Sequence, residues 1–207
     1  MRSIVLRSLP VLVVVLIALP IAAQDQAVPA VWRQQQIDFG YHGFTTFYTC
    51  DGLESRVEAI LRALGALDVK AVASGCFSNG PSASPRVSLR VRTPFEATAE
   101  VLAELRKTRT TEELKARLRG EPLQQNTVQF AATWKAVNLT PGRFGIDPGE
   151  CELVEQLNRK VFPKLAIRVV KNDVSCVPHQ RNLSQPRLQL EALTALPAPD
   201  EKISRAF

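Results

Sequence analysis

The sequence predicts an α+β fold: a tandem duplication of a β-α-β-β unit with antiparallel sheets and a helical linker between the halves. Three observations predict it. The four cysteines fall into two similarly spaced pairs, Cys50/Cys76 and Cys151/Cys176. The chain resembles itself at an offset near 101 residues. Strand-like alternation brackets a helical stripe in each half. With 45% hydrophobic and 22% charged residues in 207, the composition is that of a globular chain.

Residues 1–23 read as a secretory signal peptide. Arg2 and Arg7 give a positive start, Val11–Ala23 is apolar and too short for a span, and Ala23 offers a small residue at the cleavage point. The leader carries no acid, so the mature chain is less basic than the full chain, whose formal net charge is +6. An exported chain with four cysteines is expected to form two disulfides. Three pairings are open to four cysteines, and geometry favours one. Asp51 to Gly65 is helical by its stripe of Leu53, Val57, Ile60, Leu61 and Leu64. Leu67–Ser74 is a strand of matching length, so its antiparallel return brings Cys76 back beside Cys50. The same path joins Cys151 to Cys176. Each bond would close about 26 residues and contribute about 3–4 kcal/mol through chain entropy.

The offset carries Cys50 onto Cys151, Asp51 onto Glu152, Glu54 onto Glu155 and Lys70 onto Lys171. It carries Pro85-Arg86-Val87 onto Pro186-Arg187-Leu188, and at 102 it carries Trp32 onto Trp134. Each half therefore starts with a strand, Ala30–Phe39 or Thr127–Leu139. A helix, a cysteine-ended strand and a last alternating strand follow, Pro85–Arg92 or Arg187–Leu193. The halves are residues 24–92 and 122–196. Residues 93–121 form the linker. Thr93-Pro94-Phe95-Glu96 reads as a helix start, Ala97–Arg106 as one helix, and Thr110 to Gly120 as a second. Residues 197–207, with Pro197 and Pro199, form a loose tail.

Chemistry is sparse. G-x-S-x-G, H-E-x-x-H, Walker and G-x-G-x-x-G motifs are missing from the sequence. The cysteines lack metal spacing, with no C-x-x-C and only Cys176-x-x-His179 as a ligand-like pair, so neither metal nor cofactor is expected. The two histidines are the candidates for an enzyme of unrecognised type. His42 lies in a run with Thr45, Thr46 and Tyr48 where a base could act, and His179 follows Pro178. Packing of an aromatic loop beside a disulfide explains the same residues without catalysis, and no catalytic residue is assigned. Asp51 and Glu152 fit helix starts. Arg86, Arg90 and Arg92 share one strand face and form a candidate surface for an anionic partner such as lipopolysaccharide, phospholipid or peptidoglycan carboxylates. Nucleic acid is not expected, because the chain is exported and no recognition motif is present.

The run from Gly43 to Leu53 (GFTTFYTCDGL), with Trp134-Lys135-x-Val137, Cys151-Glu152-Leu153-Val154-Glu155-Gln156 and Cys176-Val-Pro-His179-Gln180, resembles a family of secreted proteins of Gram-negative proteobacteria. The similarity covers most of residues 32–194. No activity is assigned to that family, so the resemblance implies a periplasmic location and no catalytic residues. The expectation is a non-enzymatic binding protein of the bacterial envelope, partnered by an envelope protein or a glycan and not membrane-spanning after cleavage. A peptidoglycan- or anionic-surface module, or an enzyme using His42 or His179, are the alternatives.

Overall fold

The computed structural model describes residues 26–77, 80–82, 84–119, 128–140, 142, 150–177 and 187–197. The leader, His179 and all of the tail but Pro197 lie outside the described residues. The elements run β1 (Val28–Gly40), α1 (Cys50–Ala63), β2 (Leu67–Ser74), β3 (Arg86–Glu96), α2 (Ala99–Arg119), β4 (Phe130–Leu139), α3 (Cys151–Lys160), a short 3-10 turn (Phe162–Lys164), β5 (Ile167–Asp173) and β6 (Arg187–Ala195). The fold is α+β, with the six described strands in one antiparallel sheet ordered β2-β3-β1-β4-β6-β5.

That order reads the same from the centre outwards in both directions: β1, β3, β2 on one side and β4, β6, β5 on the other. The central ladder is short, with Val28 opposite Ala132, Pro29 opposite Ala131 and Ala30 opposite Phe130. An offset of 102 exchanges its outer pairs and leaves Pro29–Ala131 on itself. It is the offset that relates Trp32 to Trp134.

α1 forms where its stripe predicts. Thr49 caps it, its hydroxyl accepting from Gly52 N–H at 3.2 Å. At its end Gly65 takes φ of 83°, Gly65 N–H bonds to Arg62 C=O and Ala66 N–H to Leu61 C=O. This pattern needs a residue that tolerates left-handed backbone. A β-carbon on Gly65 would also lie 2.4 Å from Thr194 Cγ2 of β6, so glycine lets α1 end against the far half. Both disulfides have the expected partners, Cys50–Cys76 and Cys151–Cys176, spanning 26 and 25 residues.

Burial of apolar surface on one face drives assembly. Ile37, Phe39, Val87, Leu89 and Val91 of the first half meet Val137, Leu139, Leu188 and Leu190 of the second. Leu53, Val57, Ile60 and Leu61 of α1 and Leu153, Val154 and Leu157 of α3 cover them in one continuous core. The opposite face carries a smaller cluster, Ala30, Ala132 and Leu193 under Val28, Phe130 and Trp134, to which no helix contributes among the described residues.

The linker differs from expectation. Thr93 to Glu96 are the last residues of β3, not a helix cap. β2 stops at Leu67, opposite Arg92, so Pro94 interrupts no ladder on that side. The cap is Thr98, whose hydroxyl accepts from Val101 N–H at 3.3 Å. In place of two helices there is one, Ala99–Arg119. Thr110, read as a second cap, instead donates its hydroxyl to Arg106 C=O at 3.0 Å, as Thr108 and Thr111 do to Glu104 and Lys107. The Arg109–Glu113 ion pair at 2.6 Å bridges the expected break. None of the described α2 side chains is buried, and Leu118 is 84% exposed.

Candidate functional site

Two surfaces concentrate polar groups: a seam where the first half's β1–α1 loop lies on α3, and the sheet face away from α1 and α3.

The seam starts with the loop between β1 and α1, whose His42, Phe44, Thr45 and Thr46 N–H groups bond to side chains of α3. α3 supplies the partners at one-turn spacing, from Glu152, Gln156 and Lys160. Glu152 is 4% exposed and accepts Phe44 N–H at 3.0 Å, Thr45 N–H at 3.0 and 3.2 Å on its two oxygens, and Thr46 N–H at 3.4 Å. Gln156 accepts His42 N–H at 3.0 Å and donates to His42 C=O at 2.7 Å. Lys160 Nζ donates to Gly40 C=O at 2.5 Å, and its partial burial lowers its pKa. A β-carbon on Gly43 would fall 2.1 Å from Thr46 C=O, so the turn admits only glycine.

Beneath the loop Tyr48 donates to Glu150 at 2.8 Å, and Arg56 of α1 reaches the same carboxylate at 3.1 Å. Tyr41 donates to Thr46 C=O at 2.6 Å and packs edge-on against Tyr48, with ring centroids 5.3 Å apart. Burial first pushes both tyrosine hydroxyls well above their ordinary pKa; the Glu152 and then the Glu150 carboxylate add to this at Tyr41, and Glu150 adds to it at Tyr48. Tyr48 is thus a buried hydrogen-bond donor and is not placed to serve His42. The exposed His42 ring instead has Nδ1 3.3 Å from Ser84 Oγ. A cavity of about 270 Å³ opens beside it, lined by His42, Phe44, Glu155, Arg159 and Cys176 together with Glu152 and Gln156. Among the described residues no group of three or more His, Cys, Asp or Glu side chains is arranged to hold a metal ion.

On the other face, register decides which charges meet. Arg90 of β3 lies opposite Lys70 of β2 on one side and Gln36 of β1 on the other. Arg86 lies opposite Ser74 and Gly40, and Ser88, between the two arginines, opposite Val72 and Asp38. Lys70, Arg86 and Arg90 are exposed and make no ion pair among the described residues. Arg92 differs from the other two: it is held by Asp68 at 2.8 Å and sits over the Trp32 ring, 5.3 Å from its centroid. The candidate face therefore loses Arg92 as a free cation and gains Lys70. Lys70 is not read from the sequence as part of this face; the β2–β3 pairing places it against Arg90.

The middle of this face is an aromatic plate. Trp32 stacks on Phe130 with centroids 4.8 Å apart. Trp134 donates its indole N–H to Glu96 at 2.7 Å and lies under Arg168, whose guanidinium is 3.6 Å from the ring centroid and 3.0 Å from Glu96. The ring faces are thus engaged by protein groups.

No known protein family, curated protein or solved structure matches this chain. Two disulfides are compatible with an oxidising extracellular or periplasmic compartment. No described helix is long and apolar enough to cross a membrane.

Proposed function

We propose that this chain is an exported, non-enzymatic binding protein of a bacterial envelope that engages an anionic surface through the basic half of its open sheet face. The opposed cations Lys70 and Arg90 carry this reading. Like charges directly opposite on a sheet face sit about 5 Å apart at the β-carbon and destabilise the ladder. No ion pair offsets them among the described residues: Asp38 lies diagonally across from Arg90, and Asp68 is taken by Arg92. Arg86, about 14 Å along the same strand, extends the row. Phosphate or carboxylate groups repeated at a surface would relieve this repulsion, and charge-assisted bonds to the guanidinium groups would favour binding.

The leader, the disulfides, the likeness to secreted proteobacterial proteins and a periplasmic location belong to the same proposal. So does an origin by duplication of a β-α-β-β unit, supported by the mirrored strand order and by the central register that an offset of 102 maps onto itself.

The test is co-sedimentation of the mature protein with zwitterionic vesicles, anionic vesicles and purified peptidoglycan sacculi. Binding to one anionic target that falls at least tenfold in Arg86→Glu with Arg90→Glu supports the reading. Equal binding by the variant sinks it. The alternative, an enzyme using His42, is favoured by the Ser84 hydroxyl beside its ring at the cavity mouth. His42→Ala would then abolish turnover and spare surface binding.

A further inference from the structure

The two outer strands of the sheet are finished differently. An edge strand presents unpaired N–H and C=O groups along its free side. On β2 these groups are covered by α1: Ala73 N–H bonds to Glu54 at 2.7 Å, Ala71 N–H to Glu58 at 2.9 Å, and Arg62 donates to Val69 C=O at 3.3 Å. The offset of 101 places Glu155, Arg159 and Pro163 at the matching positions of the second half, and only the first keeps the side-chain type. Among the described residues nothing of α3 bonds to β5. Arg168 to Asp173 are exposed, with Val169 at 46% and Val170 at 60%.

We propose that the β5 edge is the dimer interface of this protein, pairing antiparallel with β5 of a second copy to make one sheet of two chains. The segment Val170-Lys171-Asn172-Asp173-Val174 is self-complementary for that pairing. With the twofold axis at Asn172, Lys171 faces the second copy's Asp173 and Asp173 its Lys171, while Val170 faces Val174 at both ends. The Lys171–Asp173 ion pair within one chain, at 2.7 Å, thereby becomes an alternating quartet. Asn172 Oδ1 takes Val174 N–H at 3.1 Å, so the bonded ladder stops short of Val174 and the Val170–Val174 contact is made by side chains alone. The irregularity between Val169 and Lys171 limits it at the other end, so the interface is short and the affinity modest. A second copy, and not an unrelated strand, is the occupant because the charge order repairs itself only against its own reverse. The axis of an antiparallel pair is perpendicular to the sheet, so both copies turn the Lys70–Arg90 face to the same side. The inference stands independently of what that face binds.

Sedimentation equilibrium of the mature, disulfide-bonded chain without ligand, from micromolar to millimolar protein, is the experiment. A concentration-dependent dimer is expected, and Lys171→Asp should weaken it roughly tenfold by setting like charges opposite at both ends of the axis. The double variant Lys171→Asp with Asp173→Lys restores complementarity and should restore dimerisation. Asn172→Cys should crosslink to itself across the axis, whereas Ser74→Cys on the β2 edge should not. A wild-type chain that stays monomeric at millimolar concentration overturns the proposal. So does a dimer indifferent to Lys171→Asp.

Discussion

Glu152 accepts the backbone N–H of Thr45 with both carboxylate oxygens, at 3.0 and 3.2 Å, across 107 residues of chain. The first half's loop is therefore ordered by the second half's helix, and the two halves cannot be folded separately without leaving donors unpaired. A Glu152→Gln substitution retains one acceptor and turns an amide donor toward N–H groups. Each buried donor left without a partner costs about 1–3 kcal/mol, so urea unfolding should lose about that much or more. An unchanged midpoint would show that the loop is held by other means.

Tyr41 and Tyr48 are the only tyrosines of the chain, and both have folded pKa values raised above the unfolded value of about 10. The folded state then keeps protons that the unfolded state releases, so their contribution is fully present below pH ~10 and is lost as pH rises beyond it. Tyrosinate absorbance should be missing from the folded protein at about pH 10 and appear with unfolding. Tyr48→Phe should flatten the alkaline fall in stability. A tyrosinate signal titrating normally in the folded chain would contradict the burial of both rings.

Glu58 joins α1 to the edge of β2 through Ala71 N–H and also pairs with Arg62 at 2.5 Å. Glu58→Ala should cost about 1 kcal/mol. Its more specific effect is on hydrogen exchange: the Ala71 amide should exchange much faster, while amides between β1 and β3 keep their protection. Uniform loss of protection would mean that the edge is not locally covered.

Removing one disulfide by Cys151→Ala with Cys176→Ala reopens a 25-residue loop. Stability should fall by roughly 3 kcal/mol, measured by urea unfolding under oxidising conditions. The Cys50–Cys76 bond should still form, which non-reducing peptide mapping would check.

Polar substitution of Leu114 and Leu118 is expected to be neutral, within about 0.5 kcal/mol, because α2 exposes them at 59% and 84%. A large change in thermal midpoint would place α2 against the core.

Much of the local architecture is legible in the sequence. The apolar stripe from Leu53 to Leu64, Gly65 as a stop and the alternation of Val87, Leu89 and Val91 are short-range signals, and the corresponding elements formed there. The cysteine pairing followed because a helix and the strand after it have matching lengths. The linker misled for an equally local reason. Thr93 and Thr110 are residue types that cap helices, but the first was taken up by the β3 ladder and the second bonded back within a continuous helix. Of the candidate site, Arg86 and Arg90 were readable as strand neighbours. Arg92 was not separable from them, since Asp68 and Trp32 reach it from other strands.

The sequence by itself determined the elements, their order in each half and the two disulfides, because each depends on residues no more than 26 positions apart. Only the tertiary structure decided that the halves share a single sheet, that Lys70 opposes Arg90, that Glu152 serves the loop at Thr45, and that α1 covers the β2 edge while nothing of α3 bonds to β5 among the described residues. These follow from register and from where unpaired backbone groups find partners. Both are settled by contacts between segments up to a hundred or more residues apart, when strands and helices pack around one core.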